Sequence, residues 1–235
     1  IATIPRIITA GKLIPSAVEF MDRFSFCETA KSLKENYPYE KIGATLLIEV
    51  DGNHEPQVAQ NAEIIQTLCK ENGALDAYPA VTEAEINGLW KIRIRIPWVL
   101  KQHSAYQSIE DIVVPVANIP DILQHLNHIG EKYDVLIPVF GHAGDGNLHA
   151  HPMKPPQQSV SDWEDMLPEL LKEIYVKTAE LGGTISGEHG IGHKRSEYME
   201  LVMPPAQLQV MRGIKNALDP NHILNPGKIF STPKT

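Results

Sequence analysis

The feature that most narrowly limits the fold is a glycine-rich turn between two short apolar runs near residue 145. Val135–Phe140 and Leu148–Met153 each have the length and composition of a buried strand, and three glycines fall within six residues between them. Glycine adopts positive φ and lets two backbones approach closely, so this spacing is typical of a tight reversal. The sequence therefore predicts two antiparallel strands here.

Around this turn, strand-like and helix-like segments alternate along the chain. Ala44–Val50 is a compact apolar run that ends at a turn, whereas residues 56–72 carry apolar positions at helical spacing. Two more helical patterns, residues 161–181 and Pro205–Leu218, follow the glycine-rich turn. This order predicts an α+β fold: an antiparallel sheet covered by helices on one face, ferredoxin-like, with extra C-terminal helices. No repeat or low-complexity segment divides the chain, so residues 1–235 are expected to form one domain.

Two further segments are assigned from local patterns. The opening segment to about Tyr37 has mixed apolar spacing and is predicted to form one or two short helices. Thr82 to Glu85 resembles a capping box, which begins a helix. That helix is expected to end near Arg95, because Pro97 has no backbone N–H to donate.

The charge balance excludes nucleic acid as a natural partner. The chain has 21 basic and 29 acidic residues, a net charge of −8, and no tract rich in Lys and Arg. Cys27 and Cys69 are the only cysteines, so neither a disulfide framework nor a thiolate zinc site is expected, and a reducing cytoplasm is the expected compartment. No run approaches the ~20 apolar residues of a spanning helix, and the first residues lack a signal-peptide layout.

Histidines crowd the ends of the two predicted strands. His149 and His151 are two residues apart on the returning strand and share a face, and His142 lies across the turn. A pair of imidazoles with one carboxylate is a usual open divalent-metal site, which leaves coordination positions for water or substrate. Glu188 lies in a second glycine-rich loop and is the candidate third ligand. The predicted metal ligands are therefore His142, His149 and Glu188.

Two alternatives compete with a metal site. A single histidine is more often a surface residue or a hydrogen-bonded core residue, but five of the ten histidines fall in the two glycine-rich loops. The glycine spacing also superficially resembles a nucleotide-binding loop. It does not match G-x-G-x-x-G, however, and the first loop leads into a strand instead of a helix N-terminus. The metal site is the favoured interpretation.

Three longer motifs, in order, resemble a known family. They are Pro138-Val-Phe-Gly-His-Ala-Gly-Asp-Gly-Asn-Leu-His149, Ser186-Gly-Glu-His-Gly-Ile-Gly192 and Leu218-Asp-Pro-Asn-His-Ile-Leu-Asn-Pro-Gly-Lys-Ile-Phe230. With these motifs the chain resembles the C-terminal domain of FAD-linked oxidases in the vanillyl-alcohol-oxidase superfamily. Its nearest relatives by resemblance are the glycolate oxidase flavin subunit, D-lactate dehydrogenase and D-2-hydroxyglutarate dehydrogenase. The likeness begins at about Gly11 and covers essentially the whole chain.

The resemblance implies one part of a two-part FAD-dependent 2-hydroxy-acid dehydrogenase. In such enzymes a separate N-terminal domain, absent from this chain, holds FAD, and the C-terminal domain caps the flavin and receives the substrate. The family motifs place zinc or a similar divalent metal on His142, His149 and Glu188. They make His189 the base that takes the substrate's hydroxyl proton, or alternatively a residue that orients Glu188. Asn225–Lys228 passes back toward the flavin domain, which implies cofactor binding by Asn225 and Lys228.

Substrate recognition is predicted to involve an arginine and a histidine. Leu89–Arg95 resembles the family's L-W-x-x-R stretch, which makes Arg93 the residue expected to bind the substrate carboxylate. Relatives often have a second arginine next to the first, but Ile94 stands there, so Arg95 is a candidate substitute. A solvated helix face is the alternative for both arginines. For His151 a substrate contact, a metal ligand and a surface position stay open, and the substrate contact is the predicted role.

The resemblance also sets the expected partners and one competing function. The substrate is expected to be a small 2-hydroxy acid. An iron-sulfur electron-transfer subunit, as in glycolate oxidase relatives, and a homodimer are both compatible with the sequence. The expected location is the cytoplasm, with peripheral contact to the inner membrane through a partner. The competing function is a non-catalytic, stand-alone metal-binding module that kept this fold.

Overall fold

The computed structural model describes residues 3–230. Its strands are β1 (Ala17–Asp22), β2 (Ala44–Glu49), β3 (Glu110–Val113), β4 (Val139–His142) and β5 (Asn147–Ala150). Its α-helices are α1 (Thr3–Thr9), α2 (Arg23–Ser32), α3 (Glu55–Glu71), α4 (Glu83–His103), α5 (Ile119–Tyr133), α6 (Val160–Glu180), α7 (Met199–Val202) and α8 (Pro205–Leu218). Short 3-10 turns lie at Tyr39–Lys41, Val116–Asn118 and Ser196–Tyr198.

The strands form one antiparallel sheet in the order β2-β1-β4-β5-β3. The predicted α+β fold with an antiparallel sheet is confirmed. The β4–β5 hairpin is the reversal that the glycine-rich turn predicts, and it has β1 on one side and β3 on the other. Residues near its turn therefore lie beside residues of β1 and β3 that are distant in sequence.

Glycine is required at two positions of this hairpin. Gly146 has φ +86°, and a Cβ atom there would lie 1.9 Å from the Val114 carbonyl oxygen. Gly141 has φ +155°, and a Cβ atom there would lie 2.4 Å from the Asn147 carbonyl oxygen. Any side chain would clash with backbone that cannot move without breaking the sheet, so the turn is glycine-rich because neighbouring strands close against it.

One face of the sheet forms the main hydrophobic core. Paired residues of antiparallel strands point to the same face, and Phe20, Leu148 and Ile112 belong to one such row across the sheet. Their helical partners are Ile122, Leu126 and Ile129 of α5 and Leu170 and Ile174 of α6. Burial of each such side chain contributes about 1.5–3 kcal/mol, so this face anchors the sheet to α5 and α6.

The opposite face is also covered in part by helices, so the expectation of helices on one face only is wrong. Met21 and Phe140 are register partners on this second face and belong to a separate apolar cluster. The helical members of that cluster are Phe26, Cys27 and Ala30 of α2 and Ile92, Ile96 and Leu100 of α4. The sheet is therefore sandwiched between α5 with α6 and α2 with α4.

The opening segment contains a strand that local patterning does not reveal. The expectation of helices alone up to about Tyr37 is wrong, because β1 lies between α1 and α2. Val18, Glu19, Phe20 and Met21 are all buried. A strand that is covered on both faces loses the apolar-polar alternation by which strands are usually identified.

Helix α4 is longer than its sequence predicts. It begins at the predicted capping box, in which Thr82 and Glu85 each accept a hydrogen bond from the other's backbone N–H. The expected end near Arg95 is wrong, because the helix continues through Pro97 to His103. The proline removes one helical hydrogen bond, but burial of residues on both sides of it offsets that loss.

Within residues 3–230, no helix combines the length and the apolar character that a membrane crossing requires.

Candidate metal centre

The β4–β5 hairpin brings His142 and His149 to the second face of the sheet. His142 pairs with Glu19 of β1, and His149 pairs with both Phe140 and Asp111. Because His142 and Phe140 are two residues apart on β4, all of these side chains project from one face. The two imidazole centroids lie 5.6 Å apart, with the rings at 85° to each other.

Glu188 reaches this histidine pair from the loop that follows α6. Its Oε1 lies 3.3 Å from Nε2 of His149 and 3.8 Å from Nε2 of His142. One ligand atom from each of the three residues lies within 4.8 Å of the others. The His149 side chain is only 7% exposed, whereas those of His142 and Glu188 are 40% and 52% exposed. The structure thus brings together the three residues proposed as ligands and leaves one side of the group open.

Glu19 connects His142 to Arg93. The His142 Nδ1–H donates to Glu19 Oε1 at 2.6 Å, and the Arg93 Nε–H donates to Glu19 Oε2 at 2.6 Å. A carboxylate is an acceptor only, so Nδ1 of His142 carries a proton, and in the neutral form of the ring the lone pair is on Nε2. That lone pair is on the nitrogen closer to Glu188, as metal ligation requires.

Asp111 holds the backbone of the Glu188 loop. Its Oδ2 accepts the N–H groups of Gly187, Glu188 and His189 at 2.9, 2.9 and 2.7 Å, and its Oδ1 accepts the Asn147 amide at 2.7 Å. Burial by itself would raise the pKa of Asp111, but the donated hydrogen bonds outweigh it and hold the pKa at about 2. At neutral pH an ionised carboxylate therefore holds the backbone of this loop in place.

The same contacts argue against the nucleotide-loop alternative. Three consecutive N–H groups of the second glycine-rich loop already donate to the Asp111 carboxylate. The first loop leads into β5, and not into a helix. Donors that are bound to an internal anion are not free for a phosphate.

His189 lies against the ligand pair. Its ring stacks on that of His149, with centroids 5.2 Å apart and an interplanar angle of 5°, and its Nε2 lies 3.7 Å from Glu188 Oε1. Its side chain is 41% exposed, so the ring is within reach of a small molecule at the open side. Asp111, His149 and His189 form a second group whose ligand atoms lie within 4.8 Å of one another.

The His149 ring is in the protonation state that metal binding requires. Burial, helped by the neighbouring His189 and Arg93, lowers the pKa of His149 to about 4, so its ring is neutral at neutral pH. Neutral imidazole is the form that binds metals. Its buried Nδ1 has no hydrogen-bond partner in the described part of the chain and lies 3.8 Å from Asp111 Oδ1.

The two candidate arginines lie in different environments. Arg93 is 8% exposed, and its guanidinium carbon lies 4.8 Å from the Phe140 ring centre. The solvated-face alternative is therefore wrong for Arg93, because the buried Glu19 compensates its charge. It holds for Arg95, which is exposed and lies over the Trp98 ring at 4.6 Å.

His151 is a buried neighbour of the centre. It is 2% exposed, so the surface alternative is wrong, and its Nδ1 lies 3.0 Å from Gln107 Oε1. Burial, followed by repulsion from His149 when that ring is protonated, lowers the pKa of His151 to about 3. Among residues 3–230, His151 is in neither group of converging ligand atoms, so the metal-ligand alternative has no geometric support.

Asn225 and Lys228 lie on an exposed turn after α8. The Lys228 N–H donates to the Asn225 carbonyl, and the next residue, Ile229, donates to the Gly192 carbonyl at 2.7 Å. The turn is therefore tied to the end of the Glu188 loop. The cofactor role of these two residues stays a prediction.

Glu19 and Asp111 are the site residues that the sequence interpretation missed. Glu19 lies inside an apolar run and Asp111 at the start of one, and the two are buried, at 3% and 0% exposure. Buried acids need a partner, so an acid inside a strand-like run is the signal that points to both.

The fold and this group of side chains together define an α+β domain with a candidate divalent-metal centre. The family model for FAD linked oxidases, C-terminal domain, matches residues 1–229, and the chain belongs to that family. The resemblance that the sequence motifs indicate is thus confirmed.

Curated relatives agree with this family. The chain is 36% identical to a D-lactate dehydrogenase of Anaerostipes hadrus, over 97% of this chain and 49% of the relative. It is 37% identical to the glycolate oxidase subunit GlcD of Bacillus subtilis, over 95% and 47%. It is 32% identical to a D-2-hydroxyglutarate dehydrogenase of Stutzerimonas stutzeri, over 79% and 40%. The chain spans about half the length of the first two relatives.

Two solved structures share the fold. A 4-ethylphenol oxidase from Gulosibacter chungangensis superposes with a TM-score of 0.63 at 15% identity, over 99% of this chain and 51% of that chain. A p-cresol methylhydroxylase superposes with a TM-score of 0.66 at 13% identity, over 99% and 50%. At these identities the likeness concerns the fold alone.

Proposed function

We propose that this chain is the substrate- and metal-binding part of an FAD-dependent 2-hydroxy-acid dehydrogenase of the glycolate, D-lactate or D-2-hydroxyglutarate type. The observation that carries the proposal is the convergence of His142, His149 and Glu188 in a chain of this family. The relatives' names supply the substrate class, a small 2-hydroxy acid oxidised to a 2-oxo acid.

A divalent metal fits the residues present. Two neutral imidazoles and one carboxylate are a usual ligand set for an open site, and zinc is our first choice because it favours such nitrogen and oxygen donors. Glu19 supports the fit by fixing the tautomer of His142. When bound, the metal supplies Lewis-acid polarisation of a substrate hydroxyl, and FAD supplies a hydride acceptor.

The chain's own residues would bind the substrate and accept its proton. Arg93 presents its guanidinium Nη groups to a substrate carboxylate, because its Nε is already bound to Glu19. The His189 imidazole takes the hydroxyl proton from the open side of the centre. His151, neutral and buried, would contact the substrate without adding charge.

The remaining parts of the enzyme are also proposals. FAD would be held mainly by an N-terminal domain outside this chain, with Asn225 and Lys228 approaching it. An iron-sulfur subunit would receive the electrons from the flavin. The protein would be cytoplasmic, with peripheral membrane contact through a partner. A homodimer is also proposed. The competing proposal is a non-catalytic, stand-alone metal-binding module derived from this fold. A longer product that binds FAD but oxidises no 2-hydroxy acid would overturn the dehydrogenase proposal.

Removal of one proposed ligand tests the metal centre. We expect the wild-type chain to bind one zinc ion and essentially no flavin, and His142→Ala or Glu188→Ala to weaken zinc binding at least about tenfold, since loss of a mere supporting partner already costs 10–100-fold. Isothermal titration calorimetry, with bound zinc counted by mass spectrometry, measures the effect.

Matched controls come from exposed residues of the same types. His128→Ala on α5 and Glu164→Ala on α6 are expected to keep wild-type zinc affinity. Unchanged affinity in both ligand variants would overturn the assignment of the ligands.

A further inference from the structure

Strand β3 carries two adjacent acidic residues that both hold the loop containing Glu188. Glu110 pairs with Ala150 and faces the main core, whereas Asp111 pairs with His149 and faces the histidines. Successive residues of a strand point to opposite faces of the sheet. Glu110 and Asp111 therefore contact the loop on opposite faces. Both acids are fully buried.

On the histidine side, Asp111 is fully occupied by the loop and by β5. Besides the three backbone N–H groups and the Asn147 amide, the Ser186 hydroxyl donates to Oδ2 at 3.2 Å. Its own carbonyl oxygen accepts the Gly187 N–H at 3.3 Å. Since both carboxylate oxygens already accept hydrogen bonds, Asp111 is poorly placed to be a metal ligand itself, although its oxygen lies near two ring nitrogens.

On the core side, Glu110 holds the far end of the same loop. Its carboxylate accepts hydrogen bonds from Lys194 at 2.6 Å, from Ser108 at 2.6 Å and from the hydroxyl of Tyr175. Lys194 also donates to the Ile109 carbonyl at 2.8 Å. The loop is thus anchored at Gly187 to His189 by Asp111 and again at Lys194 by Glu110.

We propose that Asp111 is a positioning residue, which fixes the Glu188 loop so that Glu188 and His189 face the histidine pair before any cation binds. The inference rests on the proposed metal-binding function and deepens it. The physical reason is entropic: a glycine-rich loop loses conformational entropy when it becomes ordered, and a loop that is already ordered on folding does not lose that entropy again when metal binds. Glu110 and Lys194 anchor the other end.

Asp111→Asn tests the proposal with Co²⁺ as the metal probe. Asparagine keeps the shape but replaces the anion with a neutral amide, so the backbone donors lose their strong acceptor. We expect Co²⁺ to bind about 10–100-fold more weakly, as for loss of other supporting partners. At saturating Co²⁺ the visible absorption spectrum should match that of the wild type, because the ligands themselves are unchanged.

Hydrogen exchange of the metal-free chain provides a readout that does not depend on metal. The amides of Gly187, Glu188 and His189 are expected to be protected in the wild type and to exchange faster in Asp111→Asn. Asp134→Asn is the matched control, because this exposed residue has φ 53°, a conformation that asparagine tolerates. The control should keep wild-type affinity and exchange.

Lys194→Met keeps the test decisive if Asp111→Asn does not fold. Its side chain is 41% exposed, and Arg195, whose Nε lies 3.8 Å from Glu110 Oε2, stays to compensate the buried carboxylate, yet the change releases the far anchor. We expect a several-fold loss of Co²⁺ affinity and faster exchange in the loop.

Each alternative has its own outcome. Wild-type affinity and exchange in the variants would overturn the positioning role, and a changed Co²⁺ spectrum in Asp111→Asn would make Asp111 a ligand instead. If the wild-type chain binds neither Co²⁺ nor zinc, the metal proposal fails, while the exchange data still decide whether Asp111 orders the loop.

Discussion

Replacing Glu19 with Ala is expected to lower the free energy of unfolding by about 3–5 kcal/mol, because the change leaves a buried guanidinium without its counter-ion. Glu19 and Arg93 are 3% and 8% exposed, and they meet at 2.6 Å. Most of the loss comes from the desolvated charge of Arg93, and less from the bond itself. Chemical denaturation of the metal-free chain measures the difference.

A double variant separates this cause from a general packing defect. Glu19→Leu combined with Arg93→Met removes both charges and fills similar volume, so it is expected to recover most of the wild-type stability. Glu40→Ala, an exposed acid, is the control and should change stability by less than about 0.5 kcal/mol. A double variant as unstable as Glu19→Ala would contradict the buried charge as the cause.

Glu19 also joins the stability of the sheet to the chemistry of the centre. Its two oxygens separately hold a proposed ligand, His142, and the proposed substrate arginine, Arg93. Because the carboxylate fixes one ring tautomer and one guanidinium orientation, the centre is organised before either binding partner is present. The same buried acid therefore supports both the fold and the proposed function.

The hairpin and its histidines could be predicted because their causes are local. Strand period places His149 and His151 on one face, and the glycine positions require a reversal that returns His142 to that face. The arrival of Glu188 was expected from ligand chemistry, which asks for a carboxylate near two imidazoles. None of these steps needs knowledge of which other strands pair with the hairpin.

The partners of the supporting acids could not be predicted, because the strand pairings that supply those partners are long-range. Glu19 meets His142 only because β1 pairs with β4, and Asp111 meets His149 only because β3 pairs with β5. Neither pairing leaves a local mark, since strands buried on both faces lose their alternation. The burial of Arg93 has the same origin, because α4 packs on the histidine face through its apolar residues.

Acidification is expected to destabilise the metal-free chain by about 4 kcal/mol between pH 7 and pH 5. Burial lowers the pKa of His149 to about 4 and that of His151 to about 3, whereas both would be near 6.5 in the unfolded chain. Below pH 6.5 the unfolded chain therefore binds more protons than the folded chain, and stability falls as pH falls. At pH 5 each ring accounts for about 2 kcal/mol.

His151→Gln isolates one of these two protons. Whatever the absolute stability of the variant, its pH dependence should be weaker, with only about 2 kcal/mol lost between pH 7 and pH 5 because one buried ring no longer titrates. Urea denaturation at a series of pH values, with a chelator present so that bound metal does not compete with protons, gives both slopes. Equal slopes would mean that the His151 ring takes up its proton without unfolding, and that the burial beside Gln107 and Phe140 does not hold it neutral.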